Sequence, residues 1–88
     1  MRRVLIVDDE PIIVQGLLSV LGESGLDIEL YSAGSGPDAL KLLEDKRMDI
    51  VVSDMAMPGM DGLQLMNHIH RDWPDCRVIF LSGHSELT

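Results

Sequence analysis

The sequence predicts an α/β fold, in which helices connect the strands of a doubly wound parallel sheet. Three observations support this prediction. Short apolar runs without polar alternation recur along the chain, as expected for strands buried on both faces of a parallel sheet. Segments with helical spacing of apolar residues separate these runs. The runs end in small or acidic residues, and the functional crevice of such a sheet lies at the carboxyl ends of its strands.

Four segments have the composition of strands. Residues 4–7, 50–52 and 78–81 are continuous and rich in β-branched or large apolar side chains, so we expect them inside the sheet. Residues 28–32 alternate more and include Glu29, which favours a position at the edge of the sheet. The order strand, helix, strand, helix, strand, helix, strand requires right-handed crossovers between parallel strands.

Three segments between the strands have helical spacing. The first begins at Pro11, a residue that suits the first helical position, and is closed by Gly25. The second follows residues 34–37, and the third runs from near Gly62 to Pro74. The side chains expected on the apolar faces are Ile13, Leu17, Val20 and Leu21 in the first helix, Ala39, Leu40, Leu42 and Leu43 in the second, and Leu63, Leu65, Met66, Ile69 and Trp73 in the third.

The composition limits the classes of function. With 7 Lys and Arg against 15 Asp and Glu, the 88 residues carry a formal charge of −8, which excludes nucleic-acid binding as the main role. Cys76 is the one cysteine of the sequence, so neither an internal disulfide nor a multi-cysteine zinc site can form. The N-terminal apolar run is too short for a signal peptide or a membrane span. We therefore expect a soluble, cytoplasmic protein with no direct nucleic-acid or membrane partner.

Acidic residues follow two of the predicted strands. Asp8 and Asp9 come directly after the first strand, and Asp54 follows the third. If these strands are neighbours, three carboxylates converge on one crevice, and their mutual repulsion requires a cation. An all-oxygen site favours Mg²⁺ or Ca²⁺, and three carboxylates suit a Mg²⁺ ion that keeps waters and shares its remaining positions with a phosphoryl group. The alternative is that these acids are helix N-caps.

Several motifs together identify a family. The sequence VLIVDDEP at residues 4–11, VSDMAMPGMDG at residues 52–62 and SG at residues 82–83 resemble, in order and spacing, the receiver domain of two-component response regulators. The resemblance covers residues 1–88 as one receiver domain. It implies a flavodoxin-like fold with strand order 2-1-3-4-5.

The resemblance also implies roles for individual residues. Asp54 is expected to be the phosphoacceptor that receives a phosphoryl group from a sensor histidine kinase. Asp9, Asp54 and the backbone carbonyl of Ala56 are expected to ligate Mg²⁺, and Asp8 is expected to hold the metal through water. Ser82 is expected to contact the phosphoryl group and report the modification as a switch. The response would pass to an output domain, expected to bind DNA and to regulate transcription.

The sequence departs from the family after its fourth strand. The resemblance implies a fifth strand with an essential lysine and two further helices, whereas Lys41 and Lys46 are the only lysines here and lie in the second helical segment. We therefore expect an incomplete receiver domain of order 2-1-3-4, a phosphoacceptor rather than an enzyme, with slow or undetectable phosphorylation. An interior-type fourth strand at the sheet edge also predicts a homodimer or a swapped oligomer.

Two other functions remain as alternatives. In the first alternative, the chain is deficient in phosphorylation and its sole function is that of an interaction or dimerisation module. A haloacid dehalogenase-type phosphatase also uses an Asp after a strand, but it needs a second Asp two residues later, where this sequence has Ala56. That second alternative is therefore disfavoured.

Overall fold

The structure, a computed structural model, describes residues 1–81. The strands and helices alternate along the chain as predicted: β1 Arg2–Val7, α1 Pro11–Gly22, β2 Ile28–Ala33, α2 Gly36–Asp45, β3 Ile50–Asp54, α3 Gly62–Asp72 and β4 Arg77–Leu81. The four strands form one parallel sheet in the order β2-β1-β3-β4. The predicted fold class and the predicted strand order are confirmed.

The central position of β1 determines what the sheet brings together. Its register pairs Val4 with Ile50 of β3, and the same strand pairs with β2 along its whole length. Asp49 connects the start of β3 to β1. Its carboxylate accepts a 2.8 Å hydrogen bond from the backbone N–H of Arg3, which is 46 residues away in sequence. The backbone N–H of Asp49 in turn donates a 2.9 Å hydrogen bond to the Arg3 carbonyl. The carboxyl ends of β1 and β3 are therefore held side by side.

The edge position predicted for the second strand is confirmed, and Glu29 has a specific role there. Its carboxylate accepts hydrogen bonds from the Tyr31 hydroxyl at 2.6 Å and from Arg3 Nε at 3.2 Å. The Tyr31 hydroxyl, followed by the Arg3 guanidinium, lowers the pKa of Glu29 below its usual range. A charged residue on an edge strand opposes pairing with another chain.

The main apolar core lies between the sheet and the α2–α3 layer. It combines alternate side chains of β1 and β3 with the inner faces of both helices. Its buried members are Leu5, Val7, Ala33, Ala39, Leu43, Met48, Val51, Met57, Leu65, Ile69 and Cys76. Helix α1 packs on β1 and β2, where the side chain of Val14 is buried.

The predicted apolar faces are wrong at three positions. In α1, Ile13 and Val20 are 41% and 67% exposed, because the stripe that faces the sheet is centred on Val14. In α3, Leu63 is 48% exposed, since it lies beside the buried line formed by Leu65 and Ile69. The half-buried residues that continue the α1 stripe are Leu17, Leu18 and Leu21.

Local sequence accounts for the helix starts. Ser35 caps α2 by accepting a hydrogen bond from the Asp38 N–H at 3.2 Å. Asp61 and Gln64 form a reciprocal capping box at the start of α3, with bonds of 2.9 and 3.0 Å. Within residues 1–81, no helix has the length and apolar character that crossing a membrane requires.

We expect Gly16→Ala to stabilise the protein by about 0.5–1 kcal/mol, because Gly16 lies inside α1 and glycine costs conformational entropy there. An added Cβ at Gly16 meets no atom within 4 Å. The measurement is urea unfolding. The control is Gly25→Ala, which should destabilise the protein because Gly25 has φ +81°, and equal signs for the two changes would contradict this account.

Candidate functional site

The site lies at the carboxyl ends of the two central strands. Val7 of β1 pairs with Ser53 of β3, so the next residue on each strand, Asp8 and Asp54, reaches the same end of the sheet. The Asp8 N–H donates to the Ala33 carbonyl at 3.2 Å, which continues the β1–β2 pairing by one residue. The parallel register therefore forms the acidic crevice that the sequence predicted.

All three predicted carboxylates come together. One carboxylate oxygen from each of Asp8, Asp9 and Asp54 lies within 4.8 Å of the other two. Asp8 and Asp54 are each only 4% exposed, whereas Asp9 is exposed. In the part of the chain that the structure describes, this is the one group of three or more acidic, His or Cys side chains close enough to hold an ion.

Backbone hydrogen bonds orient the two buried carboxylates. Asp8 Oδ1 accepts from the Glu10 N–H at 2.9 Å, and Asp54 Oδ1 accepts from the Ala56 N–H at 3.3 Å. The helix-cap alternative fails for the first pair of acids, because the N-cap of α1 is Glu10 and it makes no side-chain capping bond. The carboxylates therefore face the crevice without capping the helix.

The crevice opposes ionisation of Asp8. Burial raises the pKa of Asp8 above its usual range, the Glu10 N–H partly offsets this, and the charges of Asp54, Asp9 and Glu10 raise the pKa further. Each charged neighbour that acts on this pKa is another carboxylate. A cation bound here would remove that repulsion.

The donor set fits a hard divalent cation. All three side chains offer carboxylate oxygens, which Mg²⁺ prefers to nitrogen or sulfur. Three protein carboxylates leave positions for waters and for a phosphoryl oxygen in the octahedral shell of Mg²⁺. His68 contacts Arg71 through Nδ1 at 3.0 Å on the surface of α3, and we assign it no role as a ligand.

The segment after Asp54 is fixed by the start of α3. The Gly62 N–H donates to the Met55 carbonyl at 2.9 Å, and Ser53, fully buried, donates its hydroxyl to the Asp54 carbonyl at 2.9 Å. Ser53 carried no signal in the sequence, because a small residue in a buried strand predicts only packing. Gly62 was predicted only as the approximate start of the third helix, with no role in the site. Ser82 lies outside the described residues.

The sequence matches a known family over nearly its whole length. Residues 4–88 match the response regulator receiver domain. The Heme response regulator HssR of Staphylococcus aureus is 43% identical over 88 residues, which are 100% of this chain and 38% of HssR. The Transcriptional activator protein ExaE of Pseudomonas putida is 37% identical over 84 residues, which are 96% of this chain and 39% of ExaE. The chain thus spans less than two-fifths of the length of these curated relatives.

Solved structures show the same fold. The response regulator protein TrrA of Thermotoga maritima in complex with Mg²⁺–BeF is 38% identical, with a TM-score of 0.88, over 97% of this chain and 72% of TrrA. TrrA in its complex with the histidine kinase ThkA is 37% identical, with a TM-score of 0.86, over 98% of this chain and 72% of TrrA. The flavodoxin-like receiver fold that the sequence predicted is confirmed. The chain belongs to the response regulator receiver domains of two-component systems.

Proposed function

We propose that this receiver domain accepts a phosphoryl group from a sensor histidine kinase onto Asp54 with the help of Mg²⁺. The observation that carries the proposal is the convergence of three carboxylates at the ends of β1 and β3, two of them 4% exposed. The complex of the similar response regulator TrrA with a histidine kinase supports the choice of donor.

The reaction is an in-line transfer. A carboxylate oxygen of Asp54 attacks the phosphorus of a phosphohistidine, the P–N bond breaks, and the electron pair returns to the imidazole nitrogen. The hydrogen bond from the Ala56 N–H to Asp54 Oδ1 orients the attacking group. Ser82 is proposed to contact a phosphoryl oxygen after transfer.

The metal is proposed to bind to Asp9, Asp54 and the Ala56 carbonyl, with Asp8 acting through water. When bound, Mg²⁺ neutralises the charge that develops on the phosphoryl oxygens. The Mg²⁺–BeF complex of TrrA supports this assignment. Because Lys41 and Lys46 belong to the α2 region, neither is proposed to assist the transfer, and we expect the transfer to be slow.

The direct test is mass spectrometry of the intact protein after long incubation with Mg²⁺ and a small phosphodonor such as an acyl phosphate. A mass increase of one phosphoryl group that needs Mg²⁺ supports the proposal. If the mass stays unchanged with and without Mg²⁺, phosphoryl transfer is overturned for this chain and the alternative of an interaction module deficient in phosphorylation is favoured. If chelation of the metal has no effect on the adduct, the proposed role of Mg²⁺ is wrong.

We expect Mg²⁺ to raise the unfolding temperature, because a ligand that binds only the folded state stabilises it by about 2.7 kcal/mol at a hundredfold excess over its Kd. Asp9→Ala should stabilise the metal-free protein, since it relieves repulsion with Asp8 and Asp54, and should abolish the Mg²⁺ effect. Differential scanning calorimetry with and without Mg²⁺ measures both changes. The matched control is Asp45→Ala on the exposed end of α2, which should retain the full Mg²⁺ response.

The signal is proposed to pass to an output domain that binds DNA and regulates transcription in the cytoplasm. The name of the relative ExaE, a transcriptional activator protein, favours this output. The net charge of −8 argues that this chain itself makes no direct contact with nucleic acid.

A second candidate function, as an interaction or dimerisation module, is favoured by β4. Among the described strands it pairs only with β3, and Ile79 is 51% exposed. After the exposed Arg77 its sequence is apolar, and it lacks the lysine or proline that protects natural sheet edges. We expect the 88-residue chain to self-associate through this edge, and Ile79→Lys to weaken the association. Sedimentation over a concentration series is the measurement, and a monodisperse monomer at high concentration would contradict this expectation.

A further inference from the structure

The start of α3 makes an unusually close approach to the phosphoacceptor strand. Gly62 is the first residue of the helix, is buried, and leaves no room for a side chain. A Cβ built on it would lie 2.6 Å from the Asp54 carbonyl oxygen, 2.9 Å from Met55 Cα and 3.0 Å from Phe80 Cε1. Two of these three neighbours are backbone atoms, which cannot turn away as a flexible side chain can.

The Gly62 backbone also bonds to the same segment. The first N–H groups of a helix have no acceptor within the helix. Here the Gly62 N–H, one of these groups, donates a hydrogen bond to the Met55 carbonyl at 2.9 Å. The other side of that peptide, the Ala56 N–H, donates to Asp54 Oδ1 at 3.3 Å. The Met55–Ala56 peptide is therefore held at both of its polar groups.

This arrangement leaves little freedom to the backbone carbonyl of Ala56. The peptide before Ala56 is held by the two hydrogen bonds, and the residue after it, Met57, is buried in the core and only 7% exposed. Ala56 itself is exposed. The orientation of its carbonyl therefore depends on the Met55–Ala56 peptide before it and on the buried Met57 after it.

We propose that Gly62 is a positioning residue for the metal site, because its N–H and its missing side chain together set the places of the Asp54 and Ala56 ligands. This inference rests on the proposed function of those two residues as Mg²⁺ ligands. It adds that the affinity for Mg²⁺ depends on a helix residue that makes no contact with the metal. Groups that orient metal ligands without binding the metal change affinity by about 10–100-fold when they are altered.

The test is the Kd for Mg²⁺ alone, measured by isothermal titration calorimetry on the 88-residue protein well below its unfolding temperature. We expect Gly62→Ala to weaken binding about tenfold, since the new Cβ displaces the backbone of Asp54 and Met55. Gly16→Ala is the matched control, because the same change there meets open space and should leave the Kd unaltered. Ile69→Val, a buried change farther along α3, controls for stability: it should lower the unfolding temperature without changing the Kd.

A second comparison keeps the test decisive if Gly62→Ala does not fold. The double variant Gly62→Ala with Phe80→Leu removes the ring from beside the new Cβ but leaves the backbone conflict. Its Kd for Mg²⁺ should still be about tenfold above that of Phe80→Leu alone.

The outcomes separate this inference from the proposed function. If the unmodified protein binds Mg²⁺, loses binding on Asp9→Ala, and keeps its Kd on Gly62→Ala, the positioning role of Gly62 is overturned while the metal site stands. A parallel loss of affinity in Ile69→Val would also overturn it, because the effect would then follow stability alone. If the unmodified protein binds no Mg²⁺, both proposals are overturned together.

Discussion

Replacing Asp54 by Asn is expected to abolish the phosphoryl adduct. The amide has nearly the shape of the carboxylate and keeps an oxygen that can accept the hydrogen bond from the Ala56 N–H, so the fold should be retained. It is not a nucleophile under these conditions, because the side chain no longer carries a negative charge. Intact mass after incubation with Mg²⁺ and a small phosphodonor should show no adduct, even at times when the unmodified protein is partly modified.

The matched control for this prediction is Asp45→Asn. Asp45 lies exposed at the end of α2, and its substitution changes the net charge by the same amount. This variant should form the adduct at the rate of the unmodified protein. An adduct that persists at the same level in Asp54→Asn would show that another group is the acceptor and would remove the chemical basis of the proposed function.

The second large effect is expected in the core. Leu65 is fully buried between α3 and the sheet. Leu65→Ala should therefore lower the free energy of unfolding by about 2–5 kcal/mol, because apolar burial is lost and a cavity is left behind. The free energy of unfolding of native proteins is about 5–15 kcal/mol, and a domain of this size is expected near the lower end of that range. Urea unfolding followed by circular dichroism should therefore show a much lower midpoint, or a variant that is largely unfolded without urea.

Leu63→Ala provides the control on the same helix. Leu63 is 48% exposed, so the same truncation removes little buried surface and should cost far less stability. Similar losses for the two variants would mean that α3 does not bury the face that the structure assigns to it.

The order of elements was predictable because hydrophobic pattern and local capping agree in this chain. Continuous apolar runs marked the inner strands β1 and β3, and Glu29 marked the edge strand β2. The run at residues 78–81 has the same interior composition, but its strand β4 lies at the other edge of the described sheet. The acidic site followed from the same pattern, since a parallel sheet gathers the residues that follow neighbouring strands. The register of β1 against β3, which places Asp8 beside Asp54, needed the structure to define it.

The errors fall where burial depends on a partner surface. Ile13 and Val20 have helical spacing with Leu17 and Leu21, yet the face of α1 that meets the sheet is rotated toward Val14. Spacing alone defines an apolar stripe but not its centre, because the contact line depends on how the helix lies across the strands. Ser53 and Gly62 were missed for a related reason. Ser53 acts on the Asp54 carbonyl and Gly62 lies against the backbone of Asp54 and Met55, and such contacts with backbone groups leave no mark in the side-chain pattern of the sequence.

The pairing between β1 and β3 also bears on how a newly made chain folds. The Arg3–Asp49 hydrogen bond joins segments 46 residues apart in sequence. The chain therefore has to lose the conformational entropy of a long loop before the contacts between β1 and β3 can stabilise it. The same step forces the Asp8 and Asp54 carboxylates together, and their repulsion opposes the closing of the sheet. We therefore expect the acidic crevice to assemble late in folding. Dissolved divalent cations should speed that event, because a cation between the carboxylates removes their repulsion.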